Sequence, residues 1–295
     1  MLGQAQELPE REPLTAFRAF AGDLAPRDLQ DLMSYPFFSL TKAKRTRPID
    51  YHAGDIAIRV EGTAEHGIAS IWDADVLIWV ASQIIEARDA RIATSRLLVA
   101  TPYEILNFIG RGTSGRDYGR LKAAFDRLQS TTVATSIRQP VSRRLHRFSW
   151  INEWKETATA EGRPLGLELV VPDWFYASVL DSTLVLTIDR AYFRLAGGIE
   201  RWLYRLARKH AGKQPDGWRF DLRHLHVRSG SLARYSDFAF DLRRIVRIGS
   251  LPGYRLAIER SRHGAEVLHV RAAPAQRIDR TVAQLAAKFR VGDNL

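Results

Sequence analysis

The sequence predicts an α+β fold in which one layout, a run of helices closed by a β-hairpin, occurs twice. Three observations predict it. Apolar residues recur at helical spacing from Asp73 to Gln129 and again from Tyr192 to Val246. Segments of strand character follow each run. Short turns, "GRGTSG" and "GS", break each run before its last helix. The chain has 295 residues, more than a typical single domain, and its 45% hydrophobic content is enough for a sizeable core.

Residues 1–33 are mixed and polar, with Pro9, Pro13 and Pro26, and read as a flexible tail with one weak helix. "FSLTKAKRTRPIDY" (Phe38 to Tyr51) reads as a basic, extended lead-in, and "GDIAIRVEG" alternates Ile56, Ile58 and Val60 as a strand does. From Asp73 to Ala90, Val76, Leu77, Val80, Ile84 and Ala87 share one helical face. In "TPYEILNFIG", Thr101 and Glu104 make a capping box around Pro102 at the first turn. After "GRGTSG", a helix from about Ser114 to Gln129 has the apolar face Tyr118, Leu121, Phe125 and Leu128. "TTVATSIR", "RRLHRFSWINEW" and "PLGLELVVPDW" then read as strands.

The second run opens on "YFRLAGGIERWLYRLARKHAG". Gly197 and Gly198 break the chain before this helix, and Gly212 can cap its end. "FDLRHLHV" reads as a short helix and "LARYSDFAFDLRRIV" as the third. A hairpin follows, Tyr254 to Glu259 against Glu266 to Arg271, with "SRHG" at its tip. "AAPAQRIDRTVAQLAAKF" reads as a terminal linker and helix. Helices packed about a turn and followed by a hairpin make a winged helix-turn-helix. The expectation is therefore tandem winged helix-turn-helix domains, residues 34–185 and 186–295, divided within "LDSTLVLTID".

Lys and Arg total 44 against 33 acids, a net charge of +11, and the isoelectric point is near 10.2. Such an excess suggests a polyanion as partner, nucleic acid before anionic membrane. With no cysteine, disulfides, zinc fingers and thiol chemistry are excluded. The opening residues do not read as a signal peptide, and no apolar run approaches the ~20 residues of a membrane span. A reducing cytosol is compatible with the absence of cysteine, and the expected location is cytoplasmic.

At about 100° per residue, Trp202, Leu203, Leu206 and His210 share one side of their helix, and Arg201, Arg205, Arg208 and Lys209 share another. That second side reads as a solvent-facing cationic stripe. The third helix of the first run places Arg116, Arg120 and Arg127 away from its apolar face, and that of the second does the same with Ser236, Phe240, Arg243, Arg244 and Arg247. Arginine suits a helix lying in the major groove, because its fork pairs with guanine edges and with phosphates. Arg138, Arg143, Arg144 and Arg147 lie around the first hairpin, and Arg260, Arg262 and His263 at the tip of the second, where cations suit backbone or minor groove.

Enzymatic chemistry is not expected, nor any metal or cofactor. Gly110, Gly112 and Gly115 match G-x-G-x-x-G, but a helical pattern precedes them and the acid required further on is missing, so they read as a turn. No P-loop motif occurs. His224 and His226 could hold the metal of a nicking endonuclease, with Tyr235 as nucleophile, if they stood on a strand. "FDLRHLHV" favours a helix, on which the two rings diverge. Asp73 and Asp75 suit the first turn of a helix better than a magnesium site. Trp150, Trp154 and Trp174 read as core or strand packing, or as part of a subunit contact.

The stretches "SLTKAKRTRPIDY", "GIASIWDADVLIW", "TPYEILNFIGRGTSGRDYGRLKAAFDRLQSTTVATSI", "LTIDRAYFRLAGGIERWLYRLARKHAG" and "FAFDLRRIV…LPGY" resemble the plasmid replication initiator protein A family, within the iteron-binding Rep initiators. The likeness spans roughly residues 39–254, and Thr41 stands where a proline is expected. It implies two winged-helix domains that bind short direct repeats (iterons) at a plasmid origin, promote opening of AT-rich DNA and recruit the host initiator and replicative helicase. It further implies a homodimer in equilibrium with monomer, the dimer repressing its own promoter. Carried onto this chain, Ser236, Phe240, Arg243, Arg244 and Arg247 become the main readers of double-stranded DNA. Arg116, Arg120 and Arg127 become secondary contacts, and Lys42, Lys44 and Arg45 track phosphate. A winged-helix transcriptional repressor is the alternative, and a nicking endonuclease the more distant one.

Overall fold

The computed structural model describes residues 14–140, 145–158, 160, 164–212, 214–261 and 263–273. Arg143, Arg144, Arg262 and the terminal linker and helix lie outside the described residues. The described residues begin with β1 (Phe17–Arg18), β2 (Arg27–Leu29) and α1 (Gln30–Ser34). This stretch was expected to be a tail. Instead Phe17, Ala19, Leu29, Leu32 and Met33 are buried in the core.

β3 (Ile49–Ala53) and β4 (Ile56–Glu61) form a hairpin turned at Gly54. Then come α2 (Ala74–Asp89), β5 (Leu97–Ala100), α3 (Pro102–Phe108) and α4 (Gly115–Ser130). The expected capping box forms, the Thr101 hydroxyl accepting from the Glu104 amide, and a second one starts α4, where the Ser114 hydroxyl accepts from the Asp117 amide; each carboxylate reaches back. β6 (Thr132–Thr135), β7 (His146–Ser149), β8 (Glu153–Ala158) and β9 (Pro164–Val170) follow. One sheet has the order β3-β4-β6-β7, all antiparallel. The other has the order β1-β5-β9-β8, with β1 parallel to β5. β5 was not anticipated, since a strand of four residues carries too little periodicity to register.

α5 (Asp173–Leu180) leads through a 3₁₀ turn into β10 (Val185–Thr187), which pairs antiparallel with β2. The expected division between domains therefore falls where a strand begins. The hydrophobic core is continuous across it. α6 (Gly198–Ala211), β11 (Trp218–Asp221), α7 (Leu222–Ser229), α8 (Tyr235–Ile248), β12 (Tyr254–Arg260) and β13 (Glu266–Ala272) follow among the described residues. The last three strands form a sheet ordered β11-β13-β12.

One arrangement thus recurs. In α2-β5-α3-α4-β8-β9 and in α6-β11-α7-α8-β12-β13, the first strand pairs with the third and the third with the second. The first copy carries an insertion, β6 and β7, which joins the other sheet. α6 packs on α1 and on α8, with Trp202 against Phe238. A Cβ at Gly198 would lie 2.0 Å from the Leu40 carbonyl oxygen, so the glycine lets the helix start against the backbone of the lead-in. Phe38, Phe148, Trp150 and Trp174 form a stacked cluster that ties the lead-in to β7 and α5. Trp150 and Trp174 are core residues, as one of their two readings expected. No helix among the described residues is long and apolar enough to cross a membrane.

Candidate nucleic-acid interface

α8 turns Phe238, Ala239, Leu242 and Ile245 to the core. That spacing leaves Ser236, Phe240, Arg243, Arg244 and Arg247 together on the exposed side. Phe240 is 66% exposed. Arg243 reaches across to the hairpin and donates to Glu266 at 3.1 and 2.5 Å, which holds the Glu266 carboxyl below the usual carboxylate range. Arg244 pairs with Asp241 at 3.1 Å and remains 60% exposed. The helix is thereby joined to the hairpin by a charged contact, and its arginines are partly neutralised but accessible.

α4 presents Arg116 and Arg120 in the same manner. Beside it opens a cleft of about 610 Å³, lined by Lys42, Lys44, Arg111, Arg120 and Arg127 around a floor that includes Ile68, Val76 and Leu121. Lys42 lies over the Trp72 ring at 5.2 Å, and Lys44 donates to the Ala64 carbonyl at 3.0 Å. Both lysines are exposed. Arg127 departs from expectation: it donates to both carboxylate oxygens of Asp73 at 2.8 and 2.7 Å and is half-buried. Its role is to fasten α4 to the start of α2.

Arg260 is exposed at the end of β12 and Arg147 is exposed on β7. β7 belongs to the sheet of the insertion and not to the β8–β9 hairpin, so Arg147 stands apart from the hairpin that returns to β5. Sequence reasoning missed Arg234, 85% exposed at the start of α8, and the exposed cross-strand neighbours Arg255 and Arg271. Their signal was present in the strand alternation of "YRLAIER", where Arg255 and Ala257 face outward.

The expected stripe on α6 is corrected. Arg201 and Arg205 are 0% and 2% exposed. Arg201 Nη1 donates to both Asp75 oxygens at 2.7 and 2.9 Å and its other nitrogens to the Leu195 and Phe193 carbonyls. Arg205 is held by Asp28 at 2.7 and 3.0 Å. Arg208 donates to the Thr187 carbonyl at 2.7 Å, and Lys209 meets the Gln30 side chain. Arg201, Arg205 and Lys209 clamp α6 to elements of the first half, and Arg208 clamps it to β10. Burial pushes the Asp28 and Asp75 carboxyls up, against the pull of their arginines. Arg45 is likewise no phosphate tracker. It is buried, donates to the carbonyls of Arg47, Pro48 and Gly230, and is lowered to about 10 by burial, with Arg47 adding to the effect.

Contrary to expectation, Asp73 does not cap α2 with its side chain. It accepts from the Ser70 amide and hydroxyl and from Arg127, and Asp75 is taken by Arg201. His224 and His226 stand on α7, a helix whose start is capped by Asp221. Among the described residues, no group of three or more His, Asp or Glu is placed to hold a metal ion.

Comparison with known proteins places these features. The model of the family described as Replication initiator protein A matches residues 27–256. A protein of Wigglesworthia glossinidia brevipalpis, described as "Putative replication protein", is 32% identical over 230 residues, covering 76% of this chain and 82% of its own. Two crystal structures of domains 2 and 3 of RctB are similar in fold at 14% identity. Their TM-scores are 0.58 and 0.54, with 82% and 83% of this chain and 96% and 97% of theirs covered.

Proposed function

The chain belongs to the replication initiator protein A family, and from that premise we propose that it initiates replication of a plasmid by binding direct repeats at its origin. In this reading the two recurring arrangements are tandem winged helices, and α8 and α4 each lie in a major groove of double-stranded DNA. Bound copies on adjacent repeats promote opening of the neighbouring AT-rich block and recruit the host initiator and replicative helicase. The protein acts without an enzymatic step, as a monomer in equilibrium with a homodimer that represses its own promoter. On α7 the rings of His224 and His226 would diverge by about 200°, which speaks against a nicking site.

The observation that carries the reading is the twofold use of one device: an exposed arginine-bearing helix beside a hairpin, on α4 and on α8. Cations spaced along a helix meet phosphates and guanine edges at once. The test is a gel-shift titration on the DNA flanking the gene. Tandem repeats should bind cooperatively, and a single repeat or a scrambled duplex more weakly. Equal binding to all three would reject repeat recognition. A palindromic promoter site bound alone would favour a repressor.

A further inference from the structure

We infer that Phe240 reads the C5-methyl group of one thymine in each bound repeat. The inference rests on α8 lying in the major groove, as proposed above. Phe240 contributes nothing to the core that the neighbouring Phe238, 0% exposed, does not already supply. A phenyl ring that is 66% exposed needs an apolar partner or none.

Its surroundings select among partners. On the helix surface Ser236 precedes Phe240 by four positions, and Arg243, Arg244 and Arg247 follow by three, four and seven, all exposed. An apolar protein surface seated on Phe240 would strip water from three guanidinium groups. A duplex would pair them with phosphates and base edges instead. The apolar feature a duplex offers in its major groove is the thymine methyl. Glu266 and Asp241 hold two of these arginines, Arg243 and Arg244, on the same face of the helix as the phenyl. α4 has no counterpart: Gly119 stands between Arg116 and Arg120, and among the described residues α4 bears no exposed large apolar side chain. The methyl preference therefore belongs to the half-site under α8.

The experiment uses the full chain. A preferred duplex is selected from a random pool, and each thymine in it is replaced in turn by deoxyuridine, which lacks only the methyl. At one thymine per repeat, wild type should lose about fourfold in affinity, the factor that burying one methyl-sized group is worth. Phe240→Ala should bind the thymine and uracil forms of that position equally, while its thermal melt stays that of wild type. If Phe240→Ala binds too weakly to titrate, Phe240→Leu takes its place and should show a smaller methyl preference. The inference is overturned if no thymine methyl matters to wild type, or if the preference survives unchanged in the variants. A pool that yields no preferred duplex would reject the DNA-reading role of α8 itself, and the methyl contact with it.

Discussion

Arg201 on α6 and Asp75 on α2, 126 positions apart in sequence, are joined inside the protein by two hydrogen bonds from one guanidinium nitrogen, with both side chains sealed from solvent. Arg205 and Asp28 form a second buried pair, through two guanidinium nitrogens and both carboxylate oxygens. These pairs fasten the first helix of the second recurring arrangement to the first half. They thereby fix the placement of α4 relative to α8.

Removing one partner leaves a buried charge without compensation. Arg201→Ala should cost about 3–5 kcal/mol in a urea unfolding titration. Replacing both members by apolar residues, Arg201→Met with Asp75→Leu, should cost far less, because no orphaned charge remains. A cost for the double variant as large as for Arg201→Ala would show that the pair stabilises beyond mutual neutralisation.

Arg45 and Lys42 are close in sequence and should behave oppositely. Arg45→Ala strips donors from the Arg47, Pro48 and Gly230 carbonyls and should destabilise the fold by about 2–3 kcal/mol. Lys42→Ala should leave the melt within about 0.5 kcal/mol of wild type and weaken DNA binding alike on all sequences. Thermal melts read beside binding titrations separate the two outcomes.

Gly198→Ala should destabilise by about 1–3 kcal/mol, because the new methyl collides with the Leu40 carbonyl. Gly249→Ala, where a Cβ meets nothing but φ is +66°, should be penalised through backbone strain alone. Denaturant melts of the two variants compare a steric clash with a conformational cost.

His210 packs against Trp218 and Phe220, and burial, helped by Arg228 and Lys209, lowers it from 6.5 to about 4. The unfolded chain thus binds a proton that the folded chain refuses. Stability should be whole above pH 6.5, fall as pH drops through the window, and level off below about 4. Because the ring is only half-buried, the loss should be roughly 1–3 kcal/mol. His210→Phe should flatten that part of the pH profile.

Much of this fold was legible from periodicity and caps. The box at Thr101–Glu104 and the apolar faces of α4 and α8 appear where the spacing put them, while the box at Ser114–Asp117 went unread. The exposed members of the α8 face were legible for the same reason: one side of that helix packs and the other does not. The failures share a physical cause. An arginine opposite an apolar face reads the same whether it meets water or a distant carboxylate. Arg201, Arg205 and Arg127 find acids 126, 177 and 54 positions away, which no local pattern encodes. Residues 17–33 looked like a tail because their strands are two and three residues long and their partners lie in β5 and β10.

The central claim is that the cations of α4 and α8 lie against a duplex, whereas those of α6 lie inside the protein. Its most direct test is the slope of log affinity against log salt on the DNA flanking the gene. Six phosphate contacts predict a slope of about −5 for wild type. Arg120→Ala and Arg247→Ala should each bring it closer to zero by about one wherever the arginine meets a phosphate, and Arg208→Ala should leave it unchanged. A slope near zero, or one that Arg208→Ala shifts while the α4 and α8 variants do not, would contradict the account.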